Sequence, residues 1–204
     1  MDHNLDAIRE HLKNLQAVRI EAVKRRDSAT YRSAHERVLA AERELASLQA
    51  SEYAEPIKDA PWQPEFPRPL VWQDETAAWV ICPQPSRTRP LRCKVVRFEH
   101  ILGLRTSVVS GDLEDQPLGG KGLESCMALE VRNSKWISSF RVTSHESKDW
   151  APARHFALCF KDYMVEAAAI SIEWLEGEKS LADWLKNMTK SSLNSPTFSQ
   201  KEGI

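Results

Sequence analysis

An α+β fold is expected from three features of this sequence. Residues 4–52 hold neither Gly nor Pro and carry apolar residues at helical spacing. Five prolines (Pro56, Pro61, Pro64, Pro67, Pro69) then follow in close succession. From Leu70 to Glu176, short runs of branched and aromatic residues alternate with Pro, Gly, Asp and Ser. The first pattern is that of amphipathic helix, the second excludes helix, and the third is that of short strands joined by turns. The expected organisation is an N-terminal antiparallel, coiled-coil-like helical hairpin over 1–54 and a Pro-rich linker over 55–70. A mainly antiparallel β domain with short helices follows over 71–189, then a polar, disordered tail over 190–204.

The helical region carries two apolar series. Leu5, Ile8, Leu12, Leu15, Val18 and Ala22 form the first; Tyr31, Ala34, Val38, Ala41, Leu45 and Leu48 form the second, in a strict 3-4-3-4 rhythm. The two are out of phase, and the break falls at Arg26-Asp27-Ser28, where Asp27 or Ser28 can cap a new helix. Two antiparallel helices are therefore expected, with one helix containing a stutter as the alternative. Each stripe is narrow. Such helices must pack on each other and on something more, either the body of the protein or a second copy.

In the linker, proline stiffens the chain, and Trp62 and Phe66 are placed to pin it across the β domain. Pro61-Trp-Gln-Pro64 also fits the P-x-x-P pattern of proline-rich ligands, a weak signal.

Strands are expected at Leu70–Trp72, Thr76–Cys82, Leu91–Phe98, Ile101–Val109 and Ser125–Val131. Leu91, Cys93 and Val95 alternate with Arg92 and Lys94, and the register changes at Val96, which predicts a bulge there. Residues 110–122 form a polar loop holding four of the seven glycines. Ser134 is placed to cap a short helix with Trp136, Ile137 and Phe140 on one face. Next comes a hairpin, Arg154–Asp162 and Tyr163–Trp174, turning at Lys161-Asp162. Phe156, Leu158 and Phe160 share one face of its first strand; His155, Ala157 and Cys159 share the other. A last amphipathic helix over 180–188 is expected to bury Leu181, Trp184, Leu185 and Met188.

A net charge of −1 gives no global pull toward nucleic acid or anionic membrane. The N-terminus is polar and acidic without an apolar signal core, and no run reaches the roughly 18 apolar residues of a membrane span. Cys82, Cys93, Cys126 and Cys159 form no Cys-x-x-Cys pair, so neither a zinc knuckle nor a thioredoxin-type site is expected. A cytoplasmic protein with reduced thiols is the expectation.

Four groups of residues bear on chemistry. Gly119-Gly-Lys-Gly122 lacks the Ser/Thr and following helix of a P-loop and reads as a surface turn; no cofactor is expected. No His-x-His or His-x-x-x-His occurs, and Asp112, Glu114 and Asp115 lack the order of an EF-hand, so no metal is expected. His155 with Asp162 and Glu166 is the candidate set for a hydrolase-type enzyme, provided the hairpin register brings them together. Cys159 cannot join His155, since four residues of strand separate them by roughly 13 Å. Arg87, Arg89, Arg92, Lys94 and Arg97 form a basic strip. Arg89, Arg92 and Lys94 could meet phosphates there, with Trp79 and Phe98 stacking on bases. The competing reading, protection of a sheet edge by cations, agrees better with the neutral total charge.

The order Gly122-Leu, Glu130-Val-x-Asn-Ser-x-Trp-Ile137, Arg154-His-Phe, Phe160-x-Asp162 and Glu166 resembles a pattern found in small uncharacterised bacterial proteins, over about residues 98–172. In those the last strand pair runs Arg-His-Phe/Tyr, Phe-His-Asp, Glu-Cys. Here Lys161 replaces the second histidine and Ala167 the cysteine. The resemblance implies a compact β-rich domain and bacterial origin, and carries no activity.

The functional expectation is a non-enzymatic protein-interaction module of adaptor, immunity or defence-subunit type. The hairpin would serve docking or self-association through residues 4–52, and Trp62, Trp150 and Arg154 are the expected contacts to a protein partner.

Overall fold

In a computed structural model the chain is described over residues 2–64, 68–83, 93–109, 116, 118–143, 152–175 and 181–186. Two helices, α1 (Asp2–Arg25) and α2 (Ser28–Leu48), form the expected antiparallel hairpin. Arg26, at φ 55°, reverses the chain, and Asp27 caps α2. The Asp27 carboxylate accepts hydrogen bonds from the Thr30 hydroxyl and backbone N–H, which hold it below its ordinary value. Leu15, Val38 and Ala41 make the seam between the helices. The rhythm in α2 is only partly a burial pattern: Tyr31 and Leu48, at its two ends, are exposed.

Seven strands form one antiparallel sheet: β1 (Tyr53–Pro56), β2 (Leu70–Gln73), β3 (Ala77–Pro83), β4 (Cys93–Val108), β5 (Met127–Arg132), β6 (Arg154–Cys159) and β7 (Tyr163–Leu175). Their spatial order is β1-β5-β6-β7-β4-β3-β2. A third helix, α3 (Lys135–Thr143), follows β5, and residues 181–186 are helical.

Three elements differ from expectation. Strand β1 straddles the expected boundary between hairpin (1–54) and linker (55–70) as an edge strand paired with β5; Pro56 is tolerated there because an edge position needs no second donor. The two runs Leu91–Phe98 and Ile101–Val109 belong to one strand, β4, described from Cys93. Its register shift lies between Ile101 and Gly103, beside His100 at φ 51°, and not at Val96. Val95 and Val96 are both buried simply because both faces of the sheet are covered there.

One face of the sheet carries Val80, Phe98, Phe156, Leu158, Phe160 and Val165 around Trp62, which the proline segment lays against them. Trp62 is buried and meets Trp174 edge-on at 4.9 Å. Over the other face lie two helices. Trp184 of the 181–186 helix packs with Trp79, Ile81 and Val95, whereas Leu185, expected in the core, is 42% exposed. Helix α3 sits over Gly103, where an added Cβ would lie 3.0 Å from both Trp136 and Phe140. Met188, Phe66 and the 190–204 tail lie outside the described residues.

The helical hairpin is fastened to the sheet through α2. Arg43 donates to the carbonyls of Ala54 (2.9 Å) and Gly122 (3.1 Å), and the Glu42 carboxylate accepts from the Gly122 N–H (3.2 Å). Gly122 has φ 81°, and a Cβ there would lie 2.6 Å from the Ala54 carbonyl. Glycine is needed on both counts. Among the described residues no helix is long and apolar enough to cross a membrane.

Candidate functional site

The local fold brings polar side chains together beneath α3. Strand β5 ends at Asn133, whose φ of 53° turns the chain sharply, so that Ser134 stands at the N-cap of α3. The Ser134 Oγ accepts from the Ile137 N–H at 3.2 Å. On the neighbouring strand β6, His155 pairs with Ala168 of β7, which places Glu166 as its diagonal neighbour on the same face. Glu166 in turn lies directly opposite Arg105 of β4.

A continuous chain of contacts results. The Ser134 Oγ is 2.9 Å from His155 Nδ1, and His155 Nε2 is 3.1 Å from Glu166 Oε1. Arg105 donates to the same Glu166 oxygen at 2.7 Å. Arg105 also lies over the Trp136 ring at 3.9 Å, and Trp136 meets His155 edge-on at 5.0 Å. Ser134, His155 and Glu166 are all more than nine-tenths buried, at 7%, 2% and 8% exposure.

Burial alone would push the Glu166 carboxyl up. The hydrogen bond from His155 and the charge of Arg105 outweigh it and hold the group below its ordinary value of 4.5. An ionised Glu166 only accepts hydrogen bonds, so His155 Nε2 carries a proton and donates it. In neutral His155 the Nδ1 lone pair then accepts, and Ser134 O–H is the donor that faces it. The proton order runs one way, from serine to histidine to carboxylate.

On the opposite face of β5 and β6, Glu130 receives Arg154 (Nε at 2.9 Å, with a second contact from NH2) and Arg132 at 2.7 Å; Arg132 also reaches Glu55. The Glu130 hydrogen bonds raise the Arg154 guanidinium above its ordinary value despite partial burial. Two clefts flank the chain. One, of about 460 Å³, is lined by Ser134, Ser138, Glu130, Arg132, Arg154 and His155. The other, of about 500 Å³, is lined by His155, Glu166, Arg105, Lys135, Trp136 and Met164 among others. His155 borders both.

Of the expected catalytic set, His155 and Glu166 meet and Asp162 does not. Asp162 is exposed at the hairpin turn, where its carbonyl accepts from the Val109 N–H. The turn lies at the far end of β6 from His155, so the two side chains do not meet. Ser134, read from sequence only as a cap, takes its place; no local signal ties a cap serine to a histidine 21 residues away. Cys159 is buried and its thiol is pushed up to about 12 by burial, which leaves it inert.

The other expected contacts fare differently. Trp62 lies inside the core and is no exposed anchor, because the proline segment turns it toward Trp174. Arg154 is exposed and held by Glu130. Trp150 lies outside the described residues, as do Arg87, Arg89 and Arg92 of the basic strip. The strip's remaining members point to opposite faces of β4: Lys94 lies over Trp62, while Arg97 lies over Trp79 and pairs with Glu99 and Glu173. These two cations do not form one phosphate-facing row. Gly120 and Gly122 take positive φ in a turn, and Gly122 is held inside the α2 clamp. Among the described residues no group of three metal-ligating side chains converges.

Parts of that pattern lie close together here, on the two faces of β5 and β6, while Gly122 stands in the α2 clamp and Asp162 at the hairpin turn. Glu130 binds Arg154, Ser134 meets His155, and His155 meets both Trp136 and Glu166. The two substituted positions stand apart from it: Lys161 is exposed at the turn, and Ala167 is buried on the opposite sheet face. Comparison with family models, with curated proteins and with solved structures finds no match to this chain.

A third concavity lies between the tip of the helical hairpin and the sheet. This groove, of about 480 Å³, is lined by Ile20, Val23, Tyr31, Leu39, Val109 and Leu123, with Arg19, His35 and Lys161 adding basic groups. Ile20 (53% exposed), Val23 (59%) and Tyr31 (39%) leave large apolar surfaces open along its rim.

Proposed function

We propose that this chain is a protein-interaction module of adaptor, immunity or defence-subunit type, with the helical hairpin as the docking element. The observation that carries the reading is the exposure of Ile20, Val23 and Tyr31 around a groove of mixed polar and apolar lining. Large apolar side chains clustered at one concave place mark interfaces more often than scattered ones do. The groove is stiff on both sides, since Arg43 and Glu42 lock α2 to the sheet. Rigid walls lower the ordering cost of binding. Lys161, exposed at the groove, favours a partner that brings an acidic group beside its apolar anchor. Arg154, preorganised by Glu130, offers a second contact on the β domain. A cytoplasmic setting belongs to the same proposal and is supported by four free cysteines, three of them buried.

The test is affinity isolation of the full chain from its own cell beside the double variant Ile20→Glu/Val23→Glu, with light scattering on both. A protein enriched by the parent and lost by the variant is the expected result. A parent dimer that the variant makes monomeric would identify the partner as a second copy. Identical binding profiles and identical masses would end the proposal.

A further inference from the structure

The geometry points to a second capacity, independent of docking: Ser134 is an acyl-accepting nucleophile, with His155 as its base and Glu166 and Arg105 as positioning residues. Four observations support it. A strand, a single residue of positive φ, a serine and then a helix place Ser134 at a sharp strand-to-helix turn. Its Oγ lies 2.9 Å from an imidazole nitrogen that, in the neutral ring, accepts, because the other nitrogen donates to Glu166. Nucleophile, base and orienting carboxylate are thus in hydrogen-bonded sequence. Ser134 and His155 also line an open cleft of about 460 Å³, so the hydroxyl is not sealed off.

The fourth observation concerns cost. Burying an ionised carboxylate and a histidine is expensive, and apolar residues of similar volume often serve a fold as well or better. Capping α3 needs only the Ser134 oxygen. It does not need a histidine, a carboxylate and an arginine aligned behind it. Glu166, held ionised by Arg105, is what keeps the Nδ1 lone pair of His155 turned to the serine.

The substrate class is a small polar ester. The cleft is lined by Asn133, Ser134, Ser138 and His155 on the α3 side and by Glu130, paired with Arg132 and Arg154, from the other face of the strands. In the first step Ser134 Oγ bonds to the carbonyl carbon and its proton passes to His155 Nδ1. The bond to the leaving alkoxide breaks, and that oxygen takes the proton from His155. Water then attacks the acyl-serine, giving its proton to His155, and Ser134 leaves with the proton returned.

The test uses the full chain and a fluorophosphonate probe, in which Ser134 Oγ would bond to phosphorus as fluoride leaves. Mass spectrometry should find the label on Ser134. Ser134→Asn, which keeps an N-cap, should fold with an unchanged melting temperature and take no label. Glu166→Gln should fold and label about a hundredfold more slowly, with Glu166→Asp recovering part of the rate and the parent's pH profile. A folded parent that takes no label would overturn the inference and leave Ser134 as a cap. So would labelling that persists in Ser134→Asn, or a Glu166→Gln rate equal to the parent's.

Discussion

Two polar clusters join helices to this sheet, and they are built on different plans. At α2, Arg43 and Glu42 close on the backbone of Ala54 and Gly122. Arg43 and the backbone groups there keep fixed donor and acceptor roles, and the Glu42 carboxylate accepts from a backbone N–H, which relays no proton. At α3, Ser134, His155, Glu166 and Arg105 meet through side chains alone, and the middle member can change its protonation. The first plan makes a rigid joint and holds the groove open beside it. The second makes a joint that is also a proton path.

Breaking the rigid joint should cost the most. Gly122→Ala places a Cβ 2.6 Å from the Ala54 carbonyl at φ 81°, and combined strain and overpacking should destabilise the chain by roughly 2–5 kcal/mol in denaturant titration. If it costs nothing, the α2 clamp does not hold the hairpin. His155→Ala comes next, at roughly 2–4 kcal/mol, since it leaves a space beneath Trp136 and strips Ser134 and Glu166 of a partner.

The two joints should separate most clearly in acid. The folded value of Glu166 lies below 4.5, so near that pH the folded chain binds fewer protons at this carboxyl than the unfolded chain does. The stability it confers is complete above the ordinary value and is lost as pH falls through the folded value. Melting temperature should therefore fall below about pH 4.5 in the parent, and this part of the fall should be missing in Glu166→Gln. An equal acid response in both would show that Glu166 is not held ionised by its neighbours. The smallest effect belongs to the groove rim: Ile20→Glu and Val23→Glu should each change stability by no more than about 0.5 kcal/mol, because both side chains already face water.

Much of the fold was legible in short-range pattern. The phase break at Arg26-Asp27-Ser28, the Asp27 and Ser134 caps, and the two-faced alternation from His155 to Phe160 all follow from local spacing. The register of the 154–175 hairpin was enough to make a His155–Glu166 meeting conceivable. What local pattern could not supply was β1, hidden at the start of a proline-rich segment, and the pairing of distant strands. Arg105 reaches Glu166 only because β4 lies beside β7, and Ser134 reaches His155 only because β5 lies beside β6. Such long-range neighbours leave no mark on spacing. The same blindness hid the fate of Trp62, whose burial depends on where the sheet face happens to lie.

The proton order at His155 is the claim that separates the two joints, and nitrogen-15 NMR of the histidine ring reads it directly. At neutral pH Nε2 should appear as the protonated nitrogen, with Nδ1 bare and shifted by its hydrogen bond from Ser134, and Glu166→Gln should disturb that assignment. A proton found on Nδ1 in the parent, with Nε2 bare, would contradict the account, since serine would then have no base to face.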